Sequence, residues 1–156
     1  MREQRNGRRP EQAPRAREFH VFVAGAGGRL LHVATLLTAE TRSRNPCAQA
    51  LLTAVLARTF AVWDGLRDDD PYDLARRELA ARFARGAWRY HRGRGGALSV
   101  LTPQERLVVV LRLYEGVEEE QVAALLGLSG ARVRAVCARA VAALREAARR
   151  DAGAAA

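Results

Sequence analysis

Arg132, Arg134 and Arg139 follow at helical spacing a short Gly-Leu-Ser step, Gly127 to Ser129. A guanidinium is a planar fork of donors that matches guanine edges and phosphate oxygens, so arginines projecting from one helix point to nucleic-acid recognition. A second group, Arg82, Arg85, Arg89 and Arg92, falls within about 80° of arc when each helical residue advances 100°. Such a ridge would hold phosphates. Bond-making chemistry is missing from the pattern: no activated nucleophile, paired-carboxylate site or Walker loop is present. Cys47 and Cys137 lack the paired spacing that zinc needs and read as small buried apolar residues. His20, His32 and His91 form no cluster with carboxylates or thiols. These residues predict a binding protein and not an enzyme, with no metal and no cofactor.

Charge and periodicity show which elements must position these side chains. All 26 basic residues are Arg and the formal net charge is +9, which favours an anionic partner. An Ala- and Arg-rich chain also fits a GC-rich genome, so the location of the charge says more than its size. Residues 75–95 carry seven Arg against one Glu and residues 129–150 carry six Arg against one Glu, with acidic stretches separating them. Residues 1–18, rich in Arg, Pro, Gln and Gly, predict a disordered arm. No apolar run approaches the ~18 residues of a membrane span, and the Arg-rich start lacks the apolar core of a secretory signal. A cytoplasmic protein without membrane insertion is expected.

Phe19, Phe22, Val23, Ala26, Leu30, Val33, Ala34 and Leu37 share helical spacing from Glu18 to Leu37. Gly25, Gly27 and Gly28 would weaken that helix by about 1 kcal/mol each, so it is expected to break or fray there. A second helix should start at Asn45 with Pro46 in its first turn, run through Leu52, Val55, Leu56, Thr59 and Trp63, and stop at the acidic loop Asp64 to Asp70. Asp70 and Pro71 begin a third, with Tyr72, Ala75, Leu79, Phe83, Gly86 and Tyr90 on its inner stripe. Trp63 and Tyr90 read as core, whereas Trp88 lies off the stripe and is open to stacking on a base. His91 to Leu101, HRGRGGALSVL, reads as a linker. Thr102 and Glu105 then form a capping box around Pro103, and Leu107, Val110, Leu111 and Tyr114 supply a buried face that Gly116 ends.

The most specific pattern lies between Glu118 and Arg145. A short helix with Val122, Ala123 and Leu126 reaches Gly127, Leu128 and Ser129, and a longer helix follows. Small Ala123 permits close crossing, Gly127 suits a left-handed turn, Ser129 suits a helix cap, and Val133 packs inward, which is the spacing of a helix-turn-helix. Val133, Cys137, Ala140 and Leu144 form the inner stripe and leave the three arginines outside. The expected fold is all-α: two small helical domains at 19–90 and 102–148, joined by a linker at 91–101, with an arm at 1–18 and a tail at 149–156.

The stretch LTPQERLVVVLRLYEGVEEEQVAALLGLSGARVRAVCARAVAALRE resembles the C-terminal domain of bacterial extracytoplasmic-function (ECF) sigma factors. FHVFVAGAGGRLLHVATLLTAE, VLARTFAVWDGL and PYDLARRELAARF resemble that family's first domain, in the family's order, so the likeness spans about residues 19–148. It implies a promoter-specificity subunit whose partners are core RNA polymerase and promoter DNA, with an anti-sigma factor as a further partner. Arg132, Arg134 and Arg139, with Ser129 at the helix start, would meet the upstream minus-thirty-five element. Arg76, Arg77, Arg82, Arg85 and Arg89 lie on the helix that follows the downstream minus-ten element, and Asp64 to Pro71 sits where the family captures a flipped base. Departures are local. The family's Ala-Glu-Asp-Leu-hydrophobic-Gln run reads AQALLT at Ala48 to Thr53, a frequent Asn aligns with Ala81, and a frequent recognition-helix Arg aligns with Val136.

Two other readings stand beside this one. A stand-alone or degenerate sigma-like helix-turn-helix regulator would use the N-terminal helices for dimerisation or a protein partner. A nucleotide-binding enzyme would use Gly25, Gly27 and Gly28 as a phosphate turn, but no second strand follows and the helical stripe runs through the glycines. The acidic loop Asp68 to Asp70 lacks the ligand spacing of a calcium site and reads as solvated, its last residue capping a helix.

Overall fold

The apolar stripe from Phe19 to Leu37 belongs to one helix, α1, Arg9–Thr38, in the computed structural model, which describes residues 9–155. The glycines do not break it. Leu30, Val33, Ala34 and Leu37 are buried in the core, and burying a large aliphatic side chain is worth about 1.5–3 kcal/mol, enough to offset the three glycines. Upstream of Phe19 the structure departs from the expected arm, because Arg9 to Glu18 continue the helix. Arg15 pairs with Asp64 at 2.9 Å and lies over the Phe60 ring, while Phe19 packs against Phe60 and Trp63 at centroid distances of 4.9 and 5.1 Å. Residues 1–8 of the arm lie outside the described residues. The segment Ala13–Thr38 is long and apolar enough to cross a membrane, contrary to expectation, although its C-terminal half, with Leu30, Val33, Ala34 and Leu37, is buried in the core.

Helix α2, Pro46–Ala61, starts after Asn45 as expected, but the Asn45 side chain does not cap it. That role falls to Glu40, which accepts from the amides of Cys47 and Ala48 at 3.0 and 2.8 Å. Burial alone would push the Glu40 carboxyl up; the two amides and the Thr38 hydroxyl outweigh it and hold the group below the ordinary carboxylate value. A single 3-10 turn, Trp63–Gly65, leads to the acidic loop. Helix α3, Pro71–Arg85, is capped by Asp70, whose carboxylate accepts from the Tyr72 amide at 3.0 Å. It stops five residues before Tyr90, so Arg89 and Arg92 are not on it. Gly86 closes the helix, and Ala87–Tyr90 form a 3-10 turn that stacks Tyr90 on Phe83.

Helix α4, Pro103–Val109, carries the complete Thr102–Glu105 capping box and relaxes into a π turn at Val110–Tyr114. The π turn rotates Leu113 and Tyr114 outward, so Tyr114 is not a core residue as expected but packs on His32. Helices α5, Glu119–Leu126, and α6, Gly130–Ala154, complete the chain. The expected tail is helical through Ala154. Among the described residues there are six α-helices and no strand.

The two helical groups share one core. Leu98 and Leu101, in the segment read as a linker, are buried in it. That segment is clamped: the amides of Arg94 and Gly96 both donate to the Ala39 carbonyl at 3.0 Å. A Cβ on Gly96 would lie 2.2 Å from the Glu40 carbonyl oxygen, so only glycine permits this approach. Arg106 fastens the same junction from α4. Its buried guanidinium donates to the carbonyls of Tyr90 at 2.7 Å, Leu98 at 3.2 Å and Leu37 at 3.3 Å, and burial lowers its pKa.

Candidate nucleic-acid interface

The turn between α5 and α6 has the geometry its sequence predicts. Gly127 adopts φ 65° and ψ 33°, a left-handed conformation that carries almost no penalty for glycine. The Ser129 hydroxyl accepts from the Arg132 amide at 3.1 Å and so caps α6. Val122, Ala123, Val133, Val136 and Ala140 are buried between the two helices and α4. Val136, where a family arginine is frequent, faces the core here.

The three arginines of α6 are exposed but not equivalent. Arg134 pairs with Glu119 of α5. Arg139 donates from Nε to Glu105 at 2.9 Å, the same carboxylate that closes the capping box, so it braces α6 against α4. Arg132 makes no ion pair among the described residues and is the most available of the three. Arg145, which sequence reasoning passed over as a site residue, is likewise exposed and lies about 20° from Arg134 around the helix. Arg132 and Arg139 are equally close to each other on the opposite edge. Between these edges the outward face is Ala131, Ala135, Ala138 and Ala142, all exposed. The helical periodicity of the exposed alanines was the signal available for this face.

The five arginines expected on α3 divide into two groups. Arg82 pairs with Glu78 at 2.6 Å and Arg85 reaches the same carboxylate at 3.8 Å; with Arg89 on the following turn, these line one side. Arg76 and Arg77 point elsewhere. Both pair with Asp73, and Arg76 also reaches Glu115 at 3.6 Å. They line a cavity of about 360 Å³ with Leu111, Val117 and Gln121, between α3 and α5.

Glu115, after the π turn, is a junction that sequence reasoning missed. Its side chain has no exposed surface, accepts from Arg29 at 3.1 Å and accepts from the Tyr72 hydroxyl at 2.9 and 3.0 Å. Burial first, then the Glu115 carboxylate, push the Tyr72 phenol well above its ordinary value. This constellation ties α1 and α3 to the segment leading into the helix-turn-helix. Among the described residues no group of three or more His, Cys, Asp or Glu side chains could hold a metal ion.

An all-helical chain whose C-terminal helices form a capped, Arg-bearing helix-turn-helix is a DNA-binding protein by architecture. Residues 97–146 match the family model for Sigma-70, region 4. The chain is 32% identical to an RNA polymerase sigma-E factor of Streptomyces avermitilis over 83% of its own length and 84% of that protein's. It is 31% identical to the RNA polymerase sigma-E factor of Streptomyces coelicolor, with 83% and 85% covered, and 33% identical to that of Streptomyces antibioticus, with 64% and 69% covered. No solved structure matches it. The chain belongs to the ECF-type RNA polymerase sigma factors. Its function is that of a sigma factor: it acts with core RNA polymerase and promoter DNA in transcription initiation.

Proposed function

We propose that this sigma factor engages its promoter through two separate surfaces, one on α6 and one at the end of α3. The observation that carries the reading is the capped α6 with its alanine floor and arginine edges. Placed in a major groove, Ala131, Ala135 and Ala138 approach the base edges, where an alanine methyl suits a thymine methyl. Arg132 and Arg139 on one side, and Arg134 and Arg145 on the other, reach phosphates of the two strands. Ser129 and the first amides of α6 add an anion-favouring helix start. Residues 102–148 form this upstream-reading unit. Residues 19–90 form the unit that meets the polymerase and the downstream element through Arg82, Arg85 and Arg89, with 91–101 as the strap between them.

Arg76 and Arg77 contribute to DNA binding only if their pairs with Asp73 and Glu115 exchange for phosphates. The protein acts in the cytoplasm without membrane insertion, with α1 as a core helix, and is not itself an enzyme. An anti-sigma factor is a further partner of this reading. One observation favours a sigma-like protein with a reduced initiation cycle: the exposed face of α2 shows Gln49, Ala50, Thr53, Ala57 and Arg58, with neither acid of the family's run at Ala48 to Thr53. Footprinting of a promoter by the chain with core polymerase tests the reading. Protection at two separated elements, with Arg132→Gln and Arg134→Gln weakening the upstream one alone, supports it; protection of a single element without polymerase dependence contradicts it.

A further inference from the structure

Where α3 passes the π turn and α5, the helices leave a cavity of about 360 Å³, and its lining changes character from floor to mouth. Leu111 and Val117 are buried at the floor, with Leu125 half-buried beside them. Arg77, on α3, is exposed at the mouth. At roughly 30 Å³ per water-sized group, the space takes about a dozen non-hydrogen atoms. That places it at the small end of ligand sites, which run from about 300 to 1,000 Å³.

The charges around the cavity do not cancel, because the guanidinium groups of Arg29, Arg76 and Arg77 share only the carboxylates of Asp73 and Glu115. One oxygen of Asp73 holds Arg76, which also reaches buried Glu115 at 3.6 Å. The other oxygen of Asp73 lies 3.2 Å from Arg77, and this is the single ion pair of Arg77 among the described residues. A guanidinium carries five N–H donors, so the half-exposed Arg77 has donors to spare. A surplus cation above an apolar floor discriminates among ligands. A neutral chain leaves the guanidinium unused, a bare anion leaves the floor unfilled, and a carboxylate carrying an apolar chain satisfies both.

We infer that this cavity binds a small monocarboxylate with an apolar chain of medium length, its head on Arg77 and its chain against Leu111, Val117 and Leu125. The site goes beyond promoter recognition and does not depend on the two-surface reading. Arg77 belongs to the first helical group and the other three residues to the second. A bound chain therefore touches both groups and stabilises their packing by mass action, which makes the cavity a place where a small metabolite biases how the two groups sit together.

Octanoate is the probe, with acetate as a head without a chain and 1-octanol as a chain without a charge. Titrated into the full chain, octanoate is expected to shift the methyl resonances of Leu111, Val117 and Leu125 saturably and to raise the thermal unfolding midpoint. Acetate and 1-octanol bind at least about ten-fold more weakly. Arg77→Gln weakens octanoate binding about ten-fold. Arg92→Gln, an equal loss of charge at an exposed residue outside the cavity, leaves it unchanged. Methyl shifts that are missing, fail to saturate or spread to surfaces remote from the cavity overturn the inference, as does equal binding of 1-octanol or an Arg77→Gln affinity equal to that of the wild type.

Discussion

Replacing Glu115 by Gln keeps the volume of the side chain and removes its charge at the point where α1, α3 and the helix-turn-helix segment meet. The wild-type carboxylate is fully buried, accepts from the Tyr72 hydroxyl and Arg29, and forms a looser ion pair with Arg76 at 3.6 Å. Hydrogen bonds to a charged group contribute about 1.5–3 kcal/mol, against about 0.5–1.5 for neutral pairs. Arg29 is half exposed, so its share is reduced by solvent screening. The expected loss is therefore about 2–3 kcal/mol, mostly from Tyr72 and Arg76. Tyr72→Phe removes one of the same hydrogen bonds and is expected to cost about 1.5 kcal/mol. The two substitutions share a contact, so their costs should not add; a coupling of about 1 kcal/mol is expected in the double variant. Urea unfolding of the four proteins measures it, with the single Glu115→Gln change lowering the midpoint by about 1–1.5 M for a slope of about 2 kcal/mol per M. Strict additivity, or a Glu115→Gln cost under about 0.5 kcal/mol, would refute the assignment of this carboxylate as the tie between the helical groups.

Other expectations follow from the same contacts. Gly96→Ala should cost about 2 kcal/mol or more, because its Cβ meets backbone at 2.2 Å and a rigid neighbour cannot yield; thermal unfolding measures this, and an unchanged midpoint would contradict the clamped strap. Tyr72 has a raised folded-state pKa, so its stability contribution is present below about pH 10 and is lost as pH rises toward the folded value; Tyr72→Phe should flatten that alkaline limb. Glu40 has a lowered folded-state pKa, so its contribution is present above about pH 4.5 and disappears as pH falls through the folded value; Glu40→Gln should be less stable at neutral pH and less acid-sensitive. In duplex binding, uracil in place of thymine at the upstream contacts should lower affinity a few-fold per methyl, and unchanged affinity would remove the alanine floor from base reading.

Local signals were legible where a few adjacent residues settle their own backbone. The Thr102–Glu105 box, the Asp70 cap, the left-handed Gly127 and the Ser129 cap each depend on groups within four residues, and all are present. The helix-turn-helix and the all-helical class followed from them. What depended on partners distant in sequence was not legible. Glu40 caps α2 from outside it, Arg106 reaches carbonyls of α1 and the strap, and Glu115 finds Tyr72 and Arg29 43 and 86 residues away. The glycines of α1 were misread for the same reason, since burial of Leu30 to Leu37 outweighs local propensity. The arginine face of α6 was visible as a pattern, but only the fold shows that Arg139 is braced by Glu105 and that Arg145 shares an edge with Arg134.

The central claim is that the chain works with core polymerase through two basic surfaces. Run-off transcription from candidate promoters, with the purified chain and core polymerase, tests it most directly. Wild-type protein is expected to bind core and give promoter-dependent transcripts. Arg132→Gln with Arg134→Gln should lower upstream-element occupancy, while Arg85→Gln with Arg89→Gln should leave occupancy largely intact, reduce strand opening and shallow the salt dependence. DNA binding with no core association and no transcript, or open complexes unchanged by loss of Arg85 and Arg89, would contradict the account.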